Sequence, residues 1–241
     1  MTVRSKEWLN PAMLRIIFHA PGLAPTEFTD AYVKLLFDED GPITENPGER
    51  PPTRTYTLRA FDPETEEATL DFVIHGDEGR AAPWAAKCNP GDQVLARGPG
   101  GRWAPSPDVD FHLFIGDESS VPAIAGALER LDEQAKGLVI VETHEHDLTL
   151  PTPADVEVRW LIAERPYRPS RLAEAVGELD WHAFGDVEVF AHGEREAIKA
   201  LRPVLSAHVS DRSRLSISGY WAFGRAEDQF QAEKKTEIGK I

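Results

Sequence analysis

The hydrophobic pattern of this chain changes once, at the Pro- and Gly-rich segment "GPGGRWAPSPDVD", and that change constrains the fold more than any other feature. Before it, Pro, Gly, Asp or Asn bound short apolar runs, as in antiparallel strands joined by turns: "MLRIIFHA", "AYVKLLF", "TRTYTLRAF", "ATLDFVIHG" and "DQVLARG". After it, strand patterns alternate with helical ones, which favours a parallel sheet covered by helices. We therefore predict an antiparallel β-barrel over residues 1–105 and an α/β domain over residues 106–241.

Local patterns refine this architecture. In "TLDFVIH", Leu70, Phe72 and Ile74 alternate with polar or smaller residues and should share the core face of a strand. One helix should interrupt the barrel, beginning near Pro83. Pro203 should kink or shorten the helix "EREAIKALRPVL", and "GPGG" should be a turn because it lacks the Lys and Ser/Thr of a nucleotide-binding P-loop.

Composition excludes several classes of function. A net charge of −15, from 41 acidic and 26 basic side chains, argues against binding to nucleic acid or to an anionic membrane. A single cysteine, Cys88, excludes an internal disulfide framework and cysteine-ligated zinc or iron–sulfur sites, so any electron transfer needs an organic cofactor. No run is long enough to span a bilayer, and "MTVRSKEWLNPAM" lacks a secretory signal pattern, so we expect a cytoplasmic protein.

The strand "RTYT" carries residue types that a flavin requires. Arg54 and Tyr56 are two positions apart and should point to the same face of a strand. An arginine fork can bind a pyrophosphate, an aromatic ring can stack on the isoalloxazine, and the adjacent Thr57 supplies a hydroxyl. The alternative is that Tyr56 is an ordinary residue of the barrel core.

The segment "GRAAPW" follows as a second candidate element. Gly79 permits a tight turn, and Ala81 and Ala82 are small enough to let a phosphate approach. Pro83 suits the first helical position with Ala82 extended before it, so the helix N-terminus would present free N–H groups to an anion. The alternative is a plain turn that starts a helix.

Taken together, the motifs resemble those of the siderophore-interacting proteins, which are FAD-containing, NAD(P)H-dependent ferric-siderophore reductases of the ferredoxin-reductase-like superfamily. The matching segments, in family order over about residues 50–228, are "RTYTLRAFDPET", "LDFVIHGDEGRAAPWAAKCNPGDQVLARGPGG", "FIGDESSVPAIAGALERL" and "SGYWAFGRAED". The resemblance implies a two-domain ferredoxin-reductase-like fold, with FAD on the N-terminal antiparallel β-barrel and NAD(P)H on the C-terminal α/β domain. "FIGDESS" is not the G-x-G-x-x-G of a Rossmann dehydrogenase, which is compatible with this superfamily.

The resemblance also implies site residues. The cofactor-binding set is Arg54, Tyr56, Thr57, His75, Gly76, Gly79, Ala81, Ala82, Pro83, Trp84, Ala85, Asp117, Glu118, Ser119, Tyr220 and Trp221. No protein side chain is expected to be catalytic and no resident metal is expected, because the flavin carries the chemistry. Arg59 and Arg225 are candidate contacts for an anionic substrate, and both could equally be surface charges.

Two positions depart from the family pattern. A serine usually stands where this chain has Ala82, so one hydroxyl contact to phosphate is missing. The family's Tyr-Trp-Arg reads Tyr220-Trp221-Ala222 here, so a cation is missing as well, and Arg225 is a candidate to replace it.

Other polar clusters have two interpretations each. His144 and His146 in "THEHD" could bind a transition metal or simply form a solvated loop. Arg165, Arg168 and Arg171 could hold the 2′-phosphate of NADPH or balance acidic neighbours. Cys88 is most simply a small packed residue.

The expected function is the NAD(P)H-dependent reduction of a ferric siderophore by a monomeric flavoprotein that binds no nucleic acid and does not insert into a membrane. Two alternatives stay open at this point. One is an FAD-dependent reductase of another acceptor, such as ferredoxin or free flavin. The other is a siderophore-binding module without catalysis.

Overall fold

The structure, a computed structural model, describes residues 1–49, 51–74, 79–144, 148–163 and 167–241. The chain forms two compact units. The first comprises Met1–Ala104 and Pro122–Ala127, and the second comprises Pro105–Val121 and Leu128–Ile241.

The first unit is built from antiparallel strands with one short helix. Its elements are β1 (Thr2–Asn10), β2 (Met13–His19), β3 (Tyr32–Leu36), β4 (Thr53–Thr57), β5 (Ala60–Asp62), β6 (Glu67–Val73), α1 (Ala81–Lys87) and β7 (Ala96–Gly100). One sheet has the strand order β1-β2-β6-β5 and the other the order β4-β3-β7.

Hydrogen bonds join these two sheets at both corners. Val3 N donates to Asp92 O over 2.8 Å beside the start of β1, and Arg59 N, just after β4, donates to Thr69 O of β6 over 2.9 Å. The sheets enclose one apolar core, so the predicted antiparallel barrel is confirmed. As the alternation predicted, Leu70 and Phe72 lie in that core and Ile74 packs against it; Cys88 is also buried there, as predicted.

Local predictions in this unit need four corrections. The N-terminal segment forms β1, which we did not predict, and "TRTYTLRAF" divides into β4 and β5. "GPG" lies in β7 rather than in a turn, because glycine fits where a Cβ at position 100 would lie only 2.5 Å from the ring of Tyr32. Helix α1 begins at Ala81, so Ala82 is helical rather than extended, and Pro83 is the third helical residue. The first helical turn has N–H groups without intrahelical partners, which is why a proline is tolerated there.

The second unit is built around a parallel sheet. The remaining elements are β8 (Phe111–Asp117), α2 (Val121–Leu128), β9 (Gly137–Thr143), β10 (Val156–Ile162), α3 (Arg171–Gly177), β11 (Val187–Glu194), α4 (Arg195–His208), β12 (Leu215–Trp221) and α5 (Glu227–Glu233). Of the helices that follow β8 in the chain, α2 contributes its residues Pro122–Ala127 to the first unit. Single 3₁₀ turns lie at Trp181–Ala183, Arg212–Arg214 and Glu237–Gly239. The sheet order is β10-β9-β8-β11-β12 and all its pairings are parallel, which confirms the predicted α/β architecture.

Helix α4 does not end early at Pro203; it continues to His208, so the predicted shortening is wrong. Its apolar stripe includes Ile198, Leu201 and Leu205, all fully buried in the core of this unit. Packing of that stripe on both sides of the proline offsets the local cost of the missing N–H. Within the described ranges, no helix is both long enough and apolar enough to cross a bilayer.

Candidate functional site

Strand β4 presents Arg54 and Tyr56 on one face, as the sequence predicts. In the register with β3, Arg54 lies opposite Leu35 and Tyr56 lies opposite Val33. Both β3 residues are fully buried, and directly opposed residues of an antiparallel pair point to the same side. The guanidinium and the phenol therefore lie on the inner face of β4, and both side chains are half-buried.

Tyr56 combines features of the two interpretations offered for it. Its ring lies 4.3 Å from that of Phe72, centroid to centroid, and packs against the barrel core. Part of the residue nevertheless stays open to solvent, whereas the neighbouring Thr57 is buried. Arg54 donates from Nη1 to the carbonyl of Thr53 over 2.8 Å, which orients its side chain at the strand start.

The segment that begins α1 divides into an open turn and a packed helix. Gly79 has a φ of 85°, and a Cβ there would meet nothing within 4 Å. Ala81, Ala82 and Ala85 are buried. The Trp84 ring, half-buried, also packs inward, with its centroid 6.3 Å from that of Phe18. A cofactor could therefore reach Ala85 and Trp84 mainly through their backbones.

Arg80, immediately before α1, was not among the residues singled out in the sequence. Its side chain is half-buried, and its Nη1 is buried without a hydrogen-bond partner within the described part of the chain. The signal that could have found it is an arginine inside the predicted phosphate turn. His75 and Gly76, also predicted to line the flavin site, lie outside the described residues.

In the second unit, Asp117 at the end of β8 gathers two other predicted residues. Its Oδ1 accepts from the backbone N and the hydroxyl of Ser119, and its Oδ2 accepts from Trp221 Nε1 over 2.9 Å. The same Oδ2 accepts from Glu194 N over 2.7 Å. Desolvation by burial raises the pKa of the Asp117 carboxyl, against the opposing effect of these donors.

Glu194 is a central residue of this cluster that sequence reasoning missed. Its Oε2 accepts from the Tyr167 hydroxyl over 2.6 Å and caps α4 through Glu196 N and Ala197 N, while Oε1 accepts from Phe223 N. Burial and the Glu194 carboxylate both raise the pKa of Tyr167. The strand order of the sheet changes direction between β8 and β11, and open α/β sheets bind ligands at such a switch point. Asp117, at the end of β8, and Glu194, at the end of β11, flank this point. That rule is the signal that could have found Glu194.

Glu118 binds the last residue of β9 and the residue that follows it. Its Oε1 accepts from the Thr143 hydroxyl and from His144 N, and its Oε2 lies 2.9 Å from His144 Nδ1. His146 lies outside the described residues. Among the residues that are described, no group of three His, Cys, Asp or Glu side chains could hold a metal ion.

The remaining predicted residues have partners in their own units. Tyr220 packs edge-on against His192, with centroids 5.0 Å apart. Arg225 Nε lies 2.8 Å from Glu233 Oε1, so its charge is already matched, and Arg59 is half-buried rather than exposed.

Of the three clustered arginines, the structure describes Arg168, in the loop before α3, and Arg171, the first residue of α3. Arg168 pairs with Glu174, as expected for a charge-balancing role. Arg165 lies outside the described residues.

Comparisons with known proteins identify the family of this chain. The family model "Siderophore-interacting FAD-binding domain" matches residues 2–103, and the model "Siderophore-interacting protein" matches residues 109–224. Among curated relatives, the NADPH-dependent ferric-chelate reductase of Escherichia coli is 31% identical over 79% of this chain and 74% of its own length. The ferric vibriobactin reductase ViuB of Vibrio cholerae is 28% identical over 95% of this chain and 91% of its own length.

Solved structures place the fold. The siderophore-interacting protein SipS of Aeromonas hydrophila matches with a TM-score of 0.81 and 28% identity, over 97% of this chain and 95% of its own. A ferredoxin-NADP+ reductase of Plasmodium falciparum matches with a TM-score of 0.70 and 12% identity, over 91% of this chain and 95% of its own. The chain therefore has a two-domain ferredoxin-reductase-like fold and belongs to the siderophore-interacting protein family.

Proposed function

We propose that this protein is an FAD-containing oxidoreductase that uses NADH or NADPH to reduce a ferric siderophore and so releases its iron. The observation that carries the proposal is the inward pairing of Arg54 and Tyr56 on β4, opposite two fully buried residues. That arrangement offers a cation and a partly exposed ring in one place, within a fold shared with named ferric reductases.

The donors of the first unit fit the chemistry of FAD. A flavin dinucleotide has a flat ring system and an anionic pyrophosphate, and it needs aromatic surface for the first and cationic or N–H donors for the second. Tyr56 offers part of its ring, Arg54 offers a guanidinium, and Gly79, in the turn before α1, has a backbone that can be approached closely among the described residues. Bound FAD would supply the conversion of a two-electron hydride into single electrons for iron.

The chain's own residues would bind and orient FAD and the nicotinamide coenzyme. Arg54 would hold a phosphate of FAD, and Tyr56 would pack on one face of the flavin ring. Thr57, the next residue, is buried and would supply its hydroxyl to the flavin. In the second unit, Asp117, Ser119 and Trp221 form one hydrogen-bonded cluster at the carboxyl end of the sheet, where a nicotinamide coenzyme would lie. Glu118 and Tyr220 flank the same edge.

Arg59 and Arg225 are retained as proposed contacts for anionic oxygens of the ferric siderophore. Arg225 would bind such an oxygen while still paired with Glu233. Reduction lowers the charge of the iron by one unit and so weakens the attraction between the iron and its oxygen ligands. Reduction therefore favours the release of iron from the siderophore.

The test is a reconstitution under argon. Protein incubated with FAD and desalted should be yellow, should bleach on addition of NADH or NADPH, and should regain its colour when a ferric chelate is added. Stopped-flow mixing with each nucleotide and then with a panel of ferric chelates identifies the preferred pair. A protein that stays colourless would instead be a binding module, and one that is reoxidised by ferredoxin or FMN but not by ferric chelates would be another kind of reductase.

A further inference from the structure

Arg80 carries a donor that the protein itself does not satisfy. Its Nη1 is buried and has no hydrogen-bond partner within the described residues. Buried polar side chains in folded proteins nearly always have a partner, and a cationic donor left without one is costly.

Within the described part of the chain, the residues next to Arg80 offer it no competing side-chain acceptor. The first turn of α1 contains no acidic residue, and no side chain caps the helix. Ala81 and Ala82, the next two residues, are buried and have no polar side-chain atoms. On the other side, a Cβ built on Gly79 would meet no atom of the described residues within 4 Å. Among those residues, nothing therefore blocks the approach of a ligand on the Gly79 side.

The ligand must be an anion whose oxygens accept from a planar guanidinium, and phosphate has that geometry. We propose that Arg80 binds a phosphate oxygen of the FAD pyrophosphate and thereby contributes to selecting a phosphorylated flavin over riboflavin. The inference rests on the proposed function, because it takes FAD to be the cofactor. Arg80 would supply a cationic contact in a turn where Ala82 offers no hydroxyl.

The inference has a consequence for the protein without FAD. An arginine with a structural role stabilises the ligand-free protein, whereas an arginine whose role is to bind a ligand does not. Replacing Arg80 by methionine, which retains an unbranched apolar stem, should therefore weaken FAD binding without lowering the melting temperature of the ligand-free protein.

The experiment compares the wild-type protein with Arg80→Met and Arg80→Lys. Flavin-free protein is titrated with FAD and, separately, with riboflavin, and binding is followed by flavin fluorescence; melting temperatures are measured without ligand. For Arg80→Met we expect at least a tenfold rise in the Kd for FAD, as for loss of about 1.4 kcal/mol, and an unchanged Kd for riboflavin. The Kd of Arg80→Lys for FAD should lie between those of the wild type and Arg80→Met. Arg97→Met, at an exposed position of β7, is the matched control and should behave as wild type.

Each contrary result has its own meaning. If the wild type binds FAD and Arg80→Met binds it equally well, the role of Arg80 is wrong and the proposed function survives. A lower melting temperature with equal losses for FAD and riboflavin would mark Arg80 as structural and also overturn the inference. Failure of the wild type to bind FAD would overturn the proposed function and this inference together.

Discussion

The indole Nε1 of Trp221 donates a hydrogen bond to Oδ2 of Asp117 over 2.9 Å, although the two residues are 104 positions apart in sequence. The bond connects the carboxyl end of β12 with that of β8, two strands that are not neighbours in the sheet. The hydrogen bond therefore joins two residues that the sequence predicted separately as site residues.

Trp221→Phe keeps an aromatic six-membered ring and removes the Nε1–H donor together with the five-membered ring that carries it. A hydrogen bond to a charged group contributes about 1.5–3 kcal/mol, and each kcal/mol corresponds to about 2–4 °C for a protein of this size. We therefore expect the melting temperature to fall by several degrees, measured by differential scanning calorimetry. Trp8→Phe is the control, because Trp8 is 51% exposed and should tolerate the change. Equal melting temperatures for the two variants would contradict a stabilising role for the bond.

Arg54→Ala should lower FAD occupancy sharply, because it removes the guanidinium on the inner face of β4. The loss of one charge-assisted contact predicts an affinity at least about tenfold lower. Occupancy is read from the ratio of visible to ultraviolet absorbance after desalting. Thr55→Ala changes the adjacent, exposed residue on the other face and should retain the wild-type ratio. Unchanged occupancy in Arg54→Ala would argue against the role proposed for it.

The buried Asp71 carboxylate pairs with the partly exposed Arg15 of a neighbouring strand, with Nε to Oδ1 at 2.7 Å and Nη2 to Oδ2 at 2.8 Å. Arg15→Met leaves the Asp71 carboxylate, 5% exposed, without that partner. We expect destabilisation near the lower end of about 3–5 kcal/mol, because Arg15 itself is still partly open to water. The double variant Arg15→Met/Asp71→Leu should recover most of the loss in a urea titration. A double variant no more stable than the single one would contradict this account.

Glu233 makes the stability of the folded protein depend on pH in the acidic range. Its hydrogen bond with the buried Arg195, and then that with Arg225, lowers the pKa of its carboxyl below the ordinary 4.5. A lowered pKa in the folded state stabilises the protein above pH 4.5, and this contribution is lost as the pH falls through the folded value. Between pH 6 and about 3, the melting temperature of the wild type should fall more than that of Glu233→Gln. Glu39→Gln, at an exposed site, should follow the wild-type curve, and parallel curves for all three would contradict the prediction.

Much of the fold followed from local patterns. The alternation of strand and helix patterns after residue 105 predicted a parallel sheet covered on both faces, and the seven residues of β9 and the eight of β11 are all buried. This alternation can be recognised because the side-chain periods of strands and helices depend only on neighbouring residues. The start of α1 and the length of α4 were misjudged around two prolines, because packing elsewhere offsets a local cost that sequence rules assign to proline.

The candidate site also has features that follow from the sequence and features that depend on distant strands. That Arg54 and Tyr56 share a face follows from their spacing, but that this face is the inner one depends on their pairing with Leu35 and Val33 of another strand. Asp71 alternates with the core residues of β6, yet it is buried as well, and Arg15 lies directly opposite it and pairs with it.

The sequence by itself determined most of the strands and helices, that the chain changes architecture once, and which residue types could hold a flavin. Only the tertiary structure decided that Glu194 joins Tyr167 and Asp117 at the switch point and that, within the described residues, Arg80 keeps a buried donor unpaired. The reason is that a residue's burial and its hydrogen-bond partners come from segments distant in sequence, whereas periodicity and turn chemistry are set by its immediate neighbours.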